Sequence, residues 1–484
     1  MKIITLLFIA ALVSIEGHAV ETGSPRPNII FILADDLGYG DVQALNPERG
    51  KVATPHLDKL ASQGMVFTDA HSGSSVCTPT RYGLLTGRYS WRTRLQKGVL
   101  DGGNDEPLIS AERLTVGRFL QQHGYQTACI GKWHLGFQSE AAPRAAKSKQ
   151  MGSGGLPLAA QIIGGPTTRG FDLFWGCSNA RTMSSVIEGD HVAEILPPIE
   201  ILPRLTQRAV EYLSAPPQQP FFLYLPLTSP HTPILPSPEW QGKSGVGAYG
   251  DFVMQTDACV GQILKALDTA HLAENTLVIF SSDNGCSPQA GTTELEKQGH
   301  YASANYRGYK SDIWDGGHRV PFLARWPGTI TPGSQSQAVI CLGDFMATVA
   351  DLLKVELPAE AAPDSISFLP NLKDASLPGR DALVHHSING QFAVRQGRWK
   401  LDLCPGSGGW GHPTDKAAAK KAAPSVQLYD IESDPGEETN LVSQYPEKVT
   451  QLTRLLETYI TQGRSTPGSP QANDVEVKRP WLSR

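Results

Sequence analysis

The chain has 484 residues, 40% of them hydrophobic and 18% charged, the composition of a soluble globular protein rather than a disordered or fibrous one. That length predicts a large domain plus a smaller one. The net charge of -5 leaves no basic footprint, which excludes nucleic acid as the expected partner.

The first nineteen residues stand apart. Lys2 gives a small positive start, residues 3–13 are apolar, and Gly17-His18-Ala19 offers small residues where a signal peptidase reads. The apolar run is shorter than the roughly 20 residues of a membrane span. The expectation is therefore a cleaved signal peptide over 1–19, a secreted or periplasmic protein, and no membrane span after cleavage. The seven cysteines are odd in number and show neither a CxxC pair nor the dense spacing of a disulfide scaffold. Cys129 and Cys259 lie in apolar runs and read as small buried hydrophobes, whereas Cys77 lies among polar residues.

Residues 28–33 form a continuous apolar run, the pattern of a strand buried on both faces of a parallel sheet. Helix 114–123 ends at Gly124, a good C-cap, and strand 127–130 follows. Helix 203–213 precedes strand 221–225, and helix 251–270 precedes strand 277–280. This alternation predicts an α/β domain, a mostly parallel central sheet flanked by helices, over 25–375. Segments 137–168, 286–305 and 405–424 read as long surface loops, with 416–424 taken as solvated loop in preference to a short helix. Strand-like runs at 382–385, 392–395, 399–403 and 426–429, then helix 446–462, predict a smaller α+β unit with an antiparallel sheet over 380–484.

The ends of the strands carry the chemistry. The first run stops at Asp35-Asp36, the second at Gly131-Lys132-Trp133-His134, the third before His231, and the fourth at Asp283-Asn284. In open α/β sheets ligands bind beyond the carboxyl ends of the strands. Crowded carboxylates repel unless a cation neutralises them, and hard oxygen donors favour Ca²⁺ or Mg²⁺ over Zn²⁺. Each acid taken singly reads equally well as a turn or helix cap. Thr78 can cap and Pro79 can start a helix, which puts Cys77 at a helix N-terminus, a position that favours anions. By local physics alone Cys77 reads as a thiolate nucleophile facing an anionic substrate.

The segment Cys77-Thr78-Pro79-Thr80-Arg81, followed by Leu84-Leu85-Thr86-Gly87-Arg88, resembles the signature of the type I sulfatases of the alkaline phosphatase superfamily, arylsulfatase A-like enzymes among them. The usual residue at position 80 is serine or alanine. The resemblance extends through Asp35-Asp36, Gly131-Lys132-Trp133-His134, Pro230-His231, Asp283-Asn284-Gly285 and Gly316-Gly317-His318-Arg319, from about residue 27 to 468. It implies an alkaline phosphatase-like fold and a Cys77 converted to formylglycine by a maturation enzyme. It also implies one Ca²⁺ held by Asp35, Asp36, Asp283, Asn284 and the modified residue 77. On the same grounds Arg81 and Lys132 would hold the aldehyde hydrate, His134 would deprotonate its second hydroxyl, and His231 and Lys310 would hold the sulfate and the leaving oxygen. The implied substrate is a sulfated small molecule or glycan. The rival readings are a formylglycine-dependent phosphonate or phosphate ester hydrolase and a catalytically inactive glycan-binding relative. His318, Asn179 to Thr182, and Trp410 to His412 are the expected substrate lining.

Overall fold

The computed structural model describes residues 26–102, 104–143 and 151–483; the expected signal segment, 1–19, lies outside them. The strands are, in chain order, β1 (Asn28–Asp35), β2 (Met65–Phe67), β3 (Ala70–His71), β4 (Gln126–Lys132), β5 (Leu173–Cys177), β6 (Ser185–Glu188), β7 (His191–Ile195) and β8 (Phe221–Pro230). They continue with β9 (Thr276–Ser282), β10 (Phe322–Arg325), β11 (Ser334–Ser336), β12 (Ile340–Cys341), β13 (Ala382–His386), β14 (Phe392–Gln396), β15 (Trp399–Asp402) and β16 (Gln427–Asp430).

The main sheet runs β11-β2-β10-β9-β1-β8-β4-β5-β6-β7. Its centre, β9-β1-β8-β4-β5, is parallel, and antiparallel pairs join β10 on one side and β6 and β7 on the other. Every residue of β1 is buried, as its unbroken apolar sequence requires of a strand covered on both faces. Ile29, Phe31 and Leu33 pack into one layer with helices Cys77–Thr86, Val116–Gln122 and Phe345–Leu353. Ile30, Ile32 and Ala34 pack into the other with helices Pro55–Gln63, Pro198–Ser214 and Ala248–Thr269. With both faces sealed, solvent reaches the central strands only at their ends.

The small sheet is an antiparallel meander, β13-β14-β15-β16. Helix Pro446–Gln462 lays Leu452, Leu456 and Ile460 against Val384, Phe392, Val394, Leu401 and Leu428. Tyr89 and Trp91 enter the same cluster, so the stretch just after helix Cys77–Thr86 is cemented to the small sheet.

Three expectations need correction. Segment 286–305, expected as loop, holds a short helix, Thr292–Lys297, anchored by buried Leu295. The predicted helix 203–213 starts at Pro198, leaving Pro203 inside it; proline withholds one donor there, and burial of Ile201, Leu202 and Leu205 outweighs that loss. Residues Asp415–Lys420, expected as loop, are a helix, because Thr414 Oγ1 accepts from Ala417 N and Ala418 is buried. Among the described residues no helix is long and apolar enough to cross a membrane.

Candidate active site

The parallel strands β1, β4, β8 and β9 deliver their C-terminal residues to one edge. Asp35 and Lys132 are the last residues of β1 and β4, and Asp283 and His231 directly follow β9 and β8. The turns are tight: Asp36 and His134 both take left-handed backbone, at φ 65° and 55°. Such conformations cost non-glycine residues energy and persist where tertiary contacts over-determine them. Helix Cys77–Thr86 points its N-terminus at the same edge. It starts at Cys77 with Val76 as its cap, two residues earlier than Thr78 and Pro79 suggest; Thr78 Oγ1 instead accepts from Leu100 N at 3.3 Å.

The side chains close into one buried network. Arg81 Nε and Nη2 donate to Asp283 Oδ2 at 3.1 and 2.8 Å, and Nη1 donates to Lys132 O at 2.9 Å. Lys132 Nζ donates to Asp35 Oδ2 at 2.6 Å. Lys310 Nζ reaches Asp36 at 2.7 Å, and Asn284 Nδ2 donates to Asp36 Oδ1 at 2.8 Å. His231 Nε2 lies 3.5 Å from Asp36 Oδ2. His134 Nε2 donates to Leu100 O at 2.9 Å, which leaves its buried Nδ1 without a partner. All ten residues singled out from the sequence are in this network or border it. Cys77, Lys132, His134, His231 and Lys310 line one pocket, whose space, open mouth included, is about 650 Å³, within the range of small-molecule sites.

Burial and neighbours set the charges. Burial would raise the Asp35 carboxyl, but Lys132, His231 and Arg81 hold it well below the usual carboxylate range. Burial and the Asp35 charge push Asp283 up to about 7 against the pull of Arg81. Burial, reinforced by the positive charges of Lys132 and Arg81, pushes the His134 imidazole well down, so it is neutral with a free lone pair. Burial likewise brings His231 down to about 4. The expected Cys77 thiolate is a correction: burial pushes the thiol up to about 12 despite Lys132 and Lys310. Desolvation outweighs the helix N-terminus, and an unmodified Cys77 is a poor nucleophile.

The donor set suits a hard cation. Asp35 Oδ1 and Asn284 Oδ1 are buried oxygens without a hydrogen-bond partner, and one ligand atom each of Asp35, Asp36, Cys77 and His231 lies within 4.8 Å of the others. Asp35 Oδ1 has only the Arg81 guanidinium 3.4 Å away, and buried oxygens without hydrogen bonds are costly unless something positive satisfies them. Asp283 stands outside that tight group, held by Arg81 and by Asp36 N at 3.2 Å.

A second cluster, His71, His318 and His385, is fully buried elsewhere. The rings of His318 and His385 stack 3.6 Å apart at 12°, so their in-plane lone pairs run parallel instead of converging on one ion. Lys400 Nζ sits 3.2 Å from His318 Nε2, and Asp69 binds His71 Nε2 at 2.7 Å, the pattern of a packed polar relay. His318, expected as substrate lining, therefore belongs to the core. Asn179, Ala180, Arg181 and Trp410 do line the pocket, together with Leu100, Gln289 and Ile388, which carry no sequence signal because what they contribute is set by chain tracing alone.

Fold and site together define a hydrolase built on an alkaline phosphatase-like α/β sandwich. The sulfatase family profile matches residues 27–355. The chain is 32% identical to the N-acetylgalactosamine-6-O-sulfatase of Bacteroides thetaiotaomicron over 91% of its length and 94% of that protein. It is 34% identical to human arylsulfatase A over 86% of this chain and 83% of that one. A solved structure from Bacteroides thetaiotaomicron, described under the metabolism of multiple glycosaminoglycans, matches with a TM-score of 0.78 and 30% identity, covering 90% of this chain and 99% of that one. The chain belongs to the type I sulfatase family, and its activity is that of a sulfatase.

Proposed function

We propose that this chain is an exported sulfatase that releases inorganic sulfate from a sulfated carbohydrate, using formylglycine at position 77 beside one Ca²⁺. The observation that carries the reading is Cys77 itself: a buried thiol held protonated, at a helix N-terminus, among cations and unpartnered oxygens. An unmodified thiol there has little reactivity, whereas the Cys77 to Arg81 signature offers it to a maturation enzyme. Kinship to a sulfatase named for N-acetylgalactosamine 6-O-sulfate supports a sugar substrate. We assign the catalytic unit to 25–375 and the supporting unit to 380–484, with 1–19 removed on export.

Asp35, Asp36, Asp283, Asn284 and residue 77 would hold the Ca²⁺, Asp283 after partial release from Arg81. When present, the ion polarises the sulfate oxygens and the aldehyde hydrate supplies the attacking hydroxyl. Arg81 and Lys132 orient residue 77 and balance the acids. Neutral His134, its Nε2 fixed on Leu100 O, keeps an unpartnered Nδ1 that would take the proton from the second hydroxyl. Lys310 and His231 hold the sulfate and meet charge on the leaving oxygen, where one donor is typically worth about 10²–10³ in rate.

The test is a mass measurement of the tryptic peptide containing residue 77, which is about 18 Da lighter after cysteine-to-aldehyde conversion, the difference between a Cβ thiol and an aldehyde. Coupled to it, sulfate release is assayed after chelation and on adding back Ca²⁺. A full-mass peptide in protein that still turns over sulfate, or a Cys77→Ala variant with undiminished release, refutes the mechanism. Faster turnover of nitrophenyl phosphate or phosphonate than of nitrophenyl sulfate assigns the protein to the ester-hydrolase alternative.

A further inference from the structure

The rim of the Cys77 pocket carries two groups that the chemistry above leaves unused. Trp410 lines the pocket and is 43% exposed, a large apolar ring left in water. Its backbone is pinned on each side. Trp410 N donates to Ser311 Oγ at 2.9 Å, Gly411 N to Asp312 Oδ1 at 2.8 Å, and Gly408 N to Asp415 Oδ1 at 3.0 Å. Gly409 and Gly411 press so closely on Ser311 and Asp312 that an added Cβ would stand 2.3 Å from Ser311 O or Asp312 Oδ2. Ser311 N in turn donates to Ser75 O at 2.8 Å, two residues before Cys77. A loop of the small unit is thus tied to the segment that carries the nucleophile, so the backbone that presents the indole is ordered before binding and only the side chain remains to be fixed.

Arg181 is the second group. Its amide and that of Thr182 donate to Asn179 Oδ1 at 2.9 and 3.2 Å, which fixes the turn. Its guanidinium is 59% exposed and pairs at 2.8 Å with Asp101, itself 84% exposed. An exposed pair of this kind is weak, and a guanidinium fork exchanges it readily for a carboxylate or sulfate.

We propose that Trp410 and Arg181 form a sugar subsite beside the scissile ester. The indole takes the apolar C–H face of the sugar next to the one that bears the ester, and Arg181 takes an anionic group on that same second sugar. The preferred substrate is then an acidic sulfated oligosaccharide, not an isolated sulfated monosaccharide. This rests on the sulfatase reading of the same pocket and adds what the reading lacks, the substrate's second sugar. The anion is a carboxylate or a second sulfate, both of which fit the fork.

The experiment measures sulfate release from a sulfated monosaccharide and from three disaccharides whose second sugar is neutral, carboxylated or sulfated. The wild-type protein favours an anionic disaccharide in kcat/KM. Trp410→Ala lowers kcat/KM on every disaccharide at least tenfold more than on the monosaccharide, chiefly through KM, and Trp410→Phe restores most of it. Arg181→Gln lowers it at least tenfold more on an anionic disaccharide than on the neutral one, and the disaccharide that loses more identifies the anion. Equal losses on all four substrates, at unchanged melting temperature, would mean that the two residues only support the pocket and overturn the proposal. A wild-type protein that releases sulfate from none of the four overturns the sulfated-carbohydrate reading instead.

Discussion

Arg81→Lys isolates what a planar guanidinium does at the centre of the site. Arg81 is fully buried and makes three donor contacts, two to Asp283 and one to Lys132 O. Lysine keeps the charge but offers one point donor on a shorter stem, so at most one contact survives. Losing two charge-assisted bonds at about 1.5–3 kcal/mol each costs about 3–6 kcal/mol, in line with breaking a buried ion pair. Unfolding 484 residues at about 2.1 cal/mol/K per residue gives a melting entropy of about 1 kcal/mol/K. The melting temperature therefore falls by about 3–6 °C when the chain melts as one unit. The measurement is calorimetry on protein freed of divalent cations, so that ligation does not mask the pair, alongside nitrophenyl sulfate turnover, which drops about 10²-fold or more. A shift below about 1 °C with an unaltered rate refutes the role assigned to the fork.

Other consequences are open to simpler checks. Asp312 anchors the Trp410 loop, and burial pushes its carboxyl up to about 6 despite donors from Gly411, Tyr309 and Ser311. A folded pKa above the unfolded value means that the native state binds the proton more tightly, so this group's contribution to stability is lost as pH rises from about 4 to 6. Relative to Asp312→Asn, the wild-type protein should lose up to about 3 kcal/mol over that window in urea titrations; a flat difference would contradict the assignment. Gly176→Ala should destabilise by at least about 1–3 kcal/mol and depress turnover, because a Cβ there lies 1.8 Å from Gly131 O, the residue before Lys132. Leu456→Ala, which empties the seam between helix Pro446–Gln462 and the small sheet, should cost about 2–5 kcal/mol in denaturant unfolding.

Much of this was legible because the relevant signals are local. The unbroken apolar run from Ile29 to Leu33 has the pattern expected of a strand covered on both faces, which it is, and helix 446–462 was bounded from its pattern alone as the structure has it. The polar residues at four strand ends could be assigned to one edge because parallel strands share a direction. Other features could not be read. Residues 416–424 read as solvated loop, yet Asp415–Lys420 is a helix held by burial of Ala418, a tertiary fact. His318 follows a glycine pair in a motif-rich stretch, yet its ring stacks on His385, sixty-seven residues on, in the core.

Cys77 marks the division most clearly. The sequence by itself placed it at a helix start, among acids, lysines and histidines carried on other strands. It also placed the chain within the sulfatases, since the signature from Cys77 to Arg81 is contiguous. Whether its thiol ionises was a question of desolvation, which depends on every chain segment packed around it, and burial decided against the thiolate. The ion pairs that join Arg81 to Asp283, Lys132 to Asp35 and Lys310 to Asp36 span 202, 97 and 274 positions. Pairings over such separations leave no local trace in a sequence, and only the folded sheet brings them within reach.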